Sequence, residues 1–537
     1  MMIDTILYNG NIITLDDNAP RVTALAISMG RIVAAGSDDD VLNLATASTT
    51  KHNLNGKTVI PGLTDAHLHF EWLSRSLNAV DMYEIPSKAE ALQRVADFAE
   101  ANPDLEWITG RGWSQDLWED GTFPTAADLD VITGNRPAYF QAKSGHAGWA
   151  NSAALRLAGI TADTPDPDGG TILRDANGLA TGSFLETAMK LVVDAIPELT
   201  PEQLADHMQI AQNEMLKVGL TGFHDFDDPS CMAGLQVVRE RGHLALRVVK
   251  QINRAWLPHA LELGIRWGFG DDWIRYGALK LFADGALGPR TAYMFEPYIG
   301  EPDNYGMSLL EKEEMMELVT TASAAGLPTS IHAIGDRAVH DVLDVFEVAR
   351  QQEAKRGEKP TQRRHRIEHV QIIHPSDKQR LAELDVIASM QPIHATSDWE
   401  RSERFWGNER SKYAYNPRLQ IDAGARVAFG SDAPVEPFRP FEGMYSAVAR
   451  RQPNGTPSPK GWNPELKLTV DETLRGYTQG PAYAAGMENR LGKLAPRFLA
   501  DLLVIDRDPY TTQGEELLRT EIHATMVEGK FRYGSLD

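Results

Sequence analysis

The stretch VIPGLTDAHLHF, residues 59–70, decides how the rest of the chain is read. An apolar run leads into two histidines, His67 and His69, with one residue between them. Side chains two apart on an extended segment point to the same face, so both imidazoles can reach one metal ion. The pair alone says little, because chance supplies roughly 0.4 such pairs in a chain with this histidine content. Its weight comes from four stretches further along, around Lys280, His332, His369 and Asp432. Each is a short extended run that ends near a residue able to hold or attend a metal.

Working outward, the pattern from about residue 219 onward becomes strand, loop, helix, repeated. Candidate strands are 221–225, 246–251, 274–282, 328–332, 366–370, 386–390 and 426–430, and 58–60 at the front makes the eighth. Eight strands alternating with helices predict an α/β fold of the (β/α)8 TIM-barrel class. In such a barrel the chemistry gathers at the C-terminal ends of the strands, which is where His67, His69, Lys280, His332, His369 and Asp432 all fall.

The two ends of the chain read differently. Residues 5–9 and 11–15 flank Asn9-Gly10, a strong hairpin signal, and 23–28 and 31–35 flank Met29-Gly30. Residues 500–505 are apolar and extended, and 522–533 read as a hairpin around Glu528-Gly529. Two strand-rich ends predict one small β-sandwich domain built from residues 1–58 and 488–537, with the barrel spanning 59–487. Between them, about 71–218 lacks a regular βα alternation and reads as a large insertion. It carries helices over 87–100 and 201–218, a strand over 137–142 and an irregular aromatic stretch over 107–118.

Composition narrows the function classes. The chain has 537 residues and a formal net charge of −22, which opposes binding to nucleic acid or to an anionic membrane. The start carries no basic, apolar leader, and no run of about 18 uncharged apolar residues occurs, so neither secretion nor membrane spanning is expected. A cytoplasmic enzyme with a small-molecule substrate is the expectation, and a homodimer stays open. The single cysteine, Cys231, excludes an internal disulfide and reads as a small buried hydrophobe.

Neutral imidazoles and carboxylates are the usual ligands of Zn2+, with Mn2+ or Fe2+ as alternatives. Lys280 as an ammonium has no lone pair to offer, but a carbamate on it would be an anionic ligand able to bridge two metals. Each residue also has a plainer reading. His332 or His369 alone is a polar loop residue, Lys280 alone an ion-pair lysine, and Asp432 in FGSDAPV alone a helix N-cap. Their joint placement at barrel strand ends favours the metal.

These stretches, VIPGLTDAHLHF with LKLFADGALGPRTAYM, IHAIGD, RIEHVQ and AFGSDAPV, together resemble the amidohydrolase superfamily. The likeness is to its family-3 branch, which includes proteins similar to N-substituted formamide deformylase and to YtcJ. GKLAPRFLADLLVIDRDP, from residue 492, resembles that family's return to the β domain. The resemblance implies that His67 and His69 bind the more buried metal, that Lys280 as a carbamate bridges two metals, and that His332 and His369 bind the second. It implies that Asp432 touches a metal and takes the proton of the attacking water. Branches differ in whether one or two divalent metals are held and in whether the lysine is modified.

The expected reaction is hydrolysis of an amide- or formamide-type C–N bond, other than a peptide bond, in a small molecule. A bound metal lowers the pKa of water from about 15.7 toward about 7 and polarises the carbonyl, and Asp432 passes the proton to the leaving amine. A deaminase or cyclic-amide hydrolase of the same superfamily, and a non-catalytic binding barrel, are the alternatives. Against the deaminase, His332 is followed by Ala333-Ile334-Gly335-Asp336 and not by an early Glu. Substrate-binding candidates are His146, in a loop that family-3 relatives resemble, His394 near strand seven, and Trp113, which with Trp118 and Trp149 walls a pocket or fills a core. His224 ends strand two, as a substrate contact or as a partner behind the ligands. Residues 392–417 read as a lid or a surface excursion.

Overall fold

Gly62 separates two strands that belong to different sheets, and that division orders the molecule. In the computed structural model, which describes residues 2–83, 85–119 and 121–536, strand Thr58–Pro61 pairs antiparallel with Leu502–Ile505 and parallel with Asn11–Ile13. The barrel begins one residue later, at Leu63–Leu68. The expectation that 58–60 opens the barrel is therefore corrected. A Cβ at residue 62 would lie 2.4 Å from Thr221 Oγ1, so the crossing from one sheet to the next needs glycine.

The barrel strands are β1 (Leu63–Leu68), β2 (Leu220–Asp225), β3 (Arg247–Asn253), β4 (Ile274–Phe282), β5 (Thr329–Ala333), β6 (Arg366–His369), β7 (Ile387–Met390) and β8 (Val427–Phe429). They form one 8-stranded sheet in sequence order, every pair parallel. Past the strand ends, the seam between β8 and β1 is tied by two main-chain hydrogen bonds. Asp432 N donates to His67 O at 2.7 Å and His69 N to Ala433 O at 2.8 Å. Gly430 permits this approach, because a Cβ there would sit 2.5 Å from His67 N. Amphipathic helices cover the outside. The helix Asp336–Lys355 buries Val339, Val342, Leu343 and Phe346, the i, i+3, i+4, i+7 stripe of a helix with one apolar face.

Both chain ends meet in two further sheets. One runs in the order 31–36, 24–28, 5–8, 50–53, and the other 530–534, 522–527, 502–505, 58–61, 11–13, 21–22. Leu7, Leu25 and Ile27 of the first pack with Ile12, Val59, Leu502 and Val504 of the second in one core. The hairpins at Met29-Gly30 and Glu528-Gly529 form as read. Asn9-Gly10 does not close one: Thr5–Tyr8 pairs with 24–28 and 50–53, Asn11–Ile13 pairs with 21–22 and 58–61, and the two enter different sheets.

Contacts group the chain into two compact units, residues 72–210 and the remainder. Within 72–210 a 6-stranded sheet is flanked by the helices Lys88–Ala101 and Ala126–Thr133. Ser87 caps the first of these by accepting from Glu90 N. The stretch 107–118, expected to be irregular, contains the strand Ile108–Trp113, paired parallel with Ala138–Ala142. Ile108 and Trp113 anchor it in the unit's core, which outweighs the weak strand signal of two glycines. Among the described residues no helix is long and apolar enough to cross a membrane.

Candidate metal centre

Three candidate ligands converge where β1 and β8 meet. One ligand atom each of His67, His69 and Asp432 lies within 4.8 Å of the others. Asp432 Oδ1 is 3.4 Å from His67 Nε2 and 3.5 Å from His69 Nε2. The seam hydrogen bonds hold the three together, and Asp65 reinforces them by accepting from His67 N and Ser431 N, each at 3.0 Å. Asp432 adopts φ +64° and His369 φ +75°, left-handed conformations uncommon for such residues. Side chains at both strand ends are thereby aimed across the mouth, at a local conformational cost typical of functional sites.

His369, at the end of β6, brings its ring to 4.8 Å from that of His67, centroid to centroid, and His332, on β5, lies 4.6 Å from His369. Lys280, on β4, is buried with its ammonium over two rings, 4.7 Å from Phe226 and 4.5 Å from Phe282. All six expected ligands therefore lie in one unit, at the C-terminal ends of β1, β4, β5, β6 and β8.

Each imidazole has one nitrogen tied to a protein acceptor. His67 Nδ1 meets Glu368 Oε2 at 2.6 Å, His69 Nδ1 meets Asp227 Oδ1 at 3.0 Å, and His369 Nδ1 meets Gln391 Oε1 at 2.9 Å. His332 reverses the pattern, its Nε2 meeting Gly285 O at 2.9 Å. The opposite nitrogens, Nε2 of three rings and Nδ1 of His332, are the ones left to carry a lone pair. This is how histidines that hold metals are oriented in general, and the donor set fits a divalent cation.

Electrostatics agree with that fit. Burial holds His67 down to about 4 and His332 down to about 3, and burial with the nearby His332 ring holds His369 well below the ordinary histidine value. These rings are neutral and able to ligate. Burial also opposes charge on His69, but hydrogen bonds to Asp227 and Asp432 outweigh it and lift the ring to about 9. Two carboxylates there call for a cation, which a metal supplies as well as a proton does. Burial works against Asp432 too, yet the His69 hydrogen bond and the surrounding imidazoles keep it well below the usual carboxylate range. Burial lowers Lys280 to about 8.

The supporting shell was not legible as a set in the sequence. Glu368 is wholly buried and accepts from Arg366, Ser330 and His67. Asp284, pushed up to about 7 by burial, accepts from Tyr293 N, Ile334 N and Gly335 N and lies 3.7 Å from His332 Nε2. Phe226 stacks on His67 at 3.8 Å. The available signal was Arg366-Ile367-Glu368: two opposite charges on one face of a strand otherwise destined for burial.

The substrate candidates divide. His394, just beyond β7, is buried, with Nε2 4.0 Å from Asp432 Oδ2. His224 is also buried, and its Nδ1 accepts from Arg366 at 2.9 Å, which makes it a partner of the interior charge network in place of a substrate contact. Trp113 belongs to 72–210, where it is fully buried beside Trp118 and Trp149, at ring distances of 5.9 and 6.2 Å. It is core, because its Nε1 is satisfied by Phe140 O at 2.9 Å and its faces by neighbouring rings. His146, in the same unit, is exposed and bonds Glu186 at 3.0 Å. Residues 392–417 form short helices, His394–Ser397, Trp399–Phe405 and Asn408–Ser411, with Trp406 buried in a local core.

Comparison with known proteins bears on the same centre. The sequence model of the amidohydrolase family matches residues 52–533. The chain is 32% identical to the putative amidohydrolase YtcJ of Bacillus subtilis, over 98% of this chain and 99% of that protein. It is 30% identical to the N-substituted formamide deformylase of Arthrobacter pascens, over 99% and 98%. In structure it resembles an uncharacterized metal-dependent hydrolase from Pyrococcus furiosus, with a TM-score of 0.79 and 30% identity over 94% of this chain and 100% of that one. With a family match across nearly the whole length, and a barrel whose mouth gathers histidines and an aspartate, the chain belongs to the amidohydrolase family.

Proposed function

We propose that the protein is a metal-dependent hydrolase that cleaves an amide- or formamide-type C–N bond of a small molecule, releasing a carboxylic acid and an amine. The observation that carries this reading is the set of four imidazoles, each bonded through one nitrogen to a protein acceptor, around an ionised Asp432. A divalent metal held there, Zn2+ in this reading, supplies Lewis acidity toward a carbonyl and an ionised water at neutral pH.

The chain's own residues do the rest. His67, His69 and Asp432 would hold the metal, with His332 and His369 on β5 and β6 as the further ligands. Asp432 Oδ2 takes the proton of the attacking water and returns it to the leaving nitrogen. Lys280, lowered to about 8, offers a neutral amine to CO2 in a working pH range, which supports a carbamate and with it a second metal. The likeness to a named formamide deformylase supports the bond type. A cytoplasmic setting and a neutral amide substrate agree with the net charge of −22.

A hydrolysis screen tests this. Chelated protein is assayed against N-formyl, N-acetyl and cyclic amides before and after Zn2+ or Mn2+ is added back. Amine release that returns with the metal supports the reading, and no turnover of any amide by metal-loaded protein overturns it.

A further inference from the structure

We propose that His394 is a catalytic residue whose Nε2–H donates a hydrogen bond to the substrate oxygen on which negative charge develops. The inference rests on the amide-hydrolase reading above and gives this ring a chemical task within it.

The neighbours of His394 bear on its tautomer. Gln371 Nε2 lies 3.2 Å from His394 Nδ1, and an amide nitrogen can only donate. On the other side of that amide the Tyr415 hydroxyl lies 3.1 Å from Gln371 Oε1 and 3.1 Å from Asp398 Oδ2, with one hydrogen for the two acceptors. Burial keeps that hydroxyl protonated, and Tyr415 N also donates to Gln371 O at 2.6 Å, so Gln371 is held at both ends. The contact with Gln371 Nε2 assigns His394 Nδ1 as the acceptor and places the hydrogen of the ring on Nε2, the tautomer that the proposal requires.

That hydrogen has no acceptor among the described residues, although the side chain is only 4% exposed. A buried unpaired donor costs about 1–3 kcal/mol, a cost that a ligand atom would relieve. Asp432 Oδ2, at 4.0 Å, is too far to accept directly, and an atom held between the two is within reach of both. His394 thus stands beside Asp432, with its ring 6.4 Å from that of His369.

The step balances as follows. Water oxygen bonds to the amide carbon, its proton passes to Asp432 Oδ2, and the C=O π pair moves onto oxygen. The His394 Nε2–H bond stabilises that oxyanion. The pair then returns to reform C=O, the C–N bond breaks with its electrons on nitrogen, and nitrogen takes the proton from Asp432. His394 keeps its own proton throughout.

The test combines NMR with kinetics. In metal-free protein with 15N-labelled histidine, His394 is expected as the Nε2–H tautomer in the wild type, and Gln371→Glu is expected to move the hydrogen to Nδ1. In zinc-loaded protein, sodium formate should shift the Nε2–H proton resonance downfield. With the best amide from the screen, His394→Phe should lower kcat by about 10²–10³-fold, with zinc content unchanged. If His394→Phe fails to fold, Gln371→Glu must lower kcat by at least about tenfold with its fold intact. An Nδ1–H tautomer in the wild type, no response to formate, or near-wild-type kcat in the variants would each overturn the proposal. Should no amide be turned over, the hydrolase reading falls, and the tautomer and formate response still decide whether this donor meets an oxygen.

Discussion

Glu368→Gln keeps the shape of a side chain that holds the barrel interior together and removes only its charge. One carboxylate oxygen faces Arg366 Nε and Ser330 Oγ, and the other faces His67 Nδ1 at 2.6 Å and Arg366 Nη2 at 2.8 Å. An amide has one oxygen, so its NH2 must point at a donor whichever way it is turned. Turned toward His67, it requires Nδ1 to accept, which moves the ring hydrogen to Nε2, the nitrogen that faces Asp432. Loss of such a partner behind a ligand costs about 10–100-fold in metal affinity, or about 1.4 to 2.7 kcal/mol. Turned toward Arg366, it leaves a guanidinium that is 2% exposed without its carboxylate. Removing one member of a buried ion pair costs about 3–5 kcal/mol, and Arg366 keeps Ala66 O and Ser389 Oγ, both at 2.6 Å, so the lower end applies. The assay is zinc affinity by competition with a fluorescent chelator, alongside thermal unfolding of the metal-free protein. The expectation is weaker zinc binding and a lower melting temperature together. Zinc affinity within about twofold of wild type, with an unchanged melting temperature, would refute the claim that Glu368 orients His67.

Three further expectations follow from other parts of the molecule. Gly430→Ala drives a Cβ to 2.5 Å from His67 N and 2.7 Å from Asp65 Oδ1, so the seam must open, at about 1–3 kcal/mol, and zinc content should fall with thermal stability. Asp501→Asn unpairs Arg247, 6% exposed, and should cost about 3 kcal/mol in denaturant unfolding, whereas a joint Arg247→Met, Asp501→Leu exchange should recover most of it. Burial raises Glu353, but hydrogen bonds from His365 and Ser323 and the Arg350 charge outweigh it and hold it at about 2. Its folded value lies below the ordinary carboxylate value, so its contribution is present above about pH 4.5 and is lost as pH falls toward 2. Melting temperatures of wild type and Glu353→Gln should therefore draw together as pH falls from about 4.5 toward 2, and a constant gap would contradict this.

Much of the barrel was legible because five of its eight strands, β1, β4, β5, β6 and β8, end near a candidate ligand. His332, His369 and Asp432 stand out against Ser330-Ile331, Arg366-Ile367 and Ala428-Phe429. What local pattern cannot show is which sheet a strand joins. Thr58–Pro61 and Leu63–Leu68 are short strands separated by one residue, and only the distant partners Leu502–Ile505 and Leu220–Asp225 distinguish their sheets. Asn9-Gly10 failed for the same reason, since a turn signal says nothing of longer-range pairing. Glu368 and Asp284 were hidden because a carboxylate's role behind a ligand depends on which backbone amides and rings surround it. Trp113 is as compatible with a pocket wall as with a core until its indole nitrogen is seen bonded to Phe140 O.

Anomalous diffraction from crystals grown with Zn2+ locates the ion among these side chains. A peak is expected at about 2.0–2.2 Å from His67 Nε2, His69 Nε2 and an oxygen of Asp432, with any second peak beside His332 and His369. Density for zinc anywhere else, with this cluster empty in an enzyme that still cleaves amides, would contradict this placement.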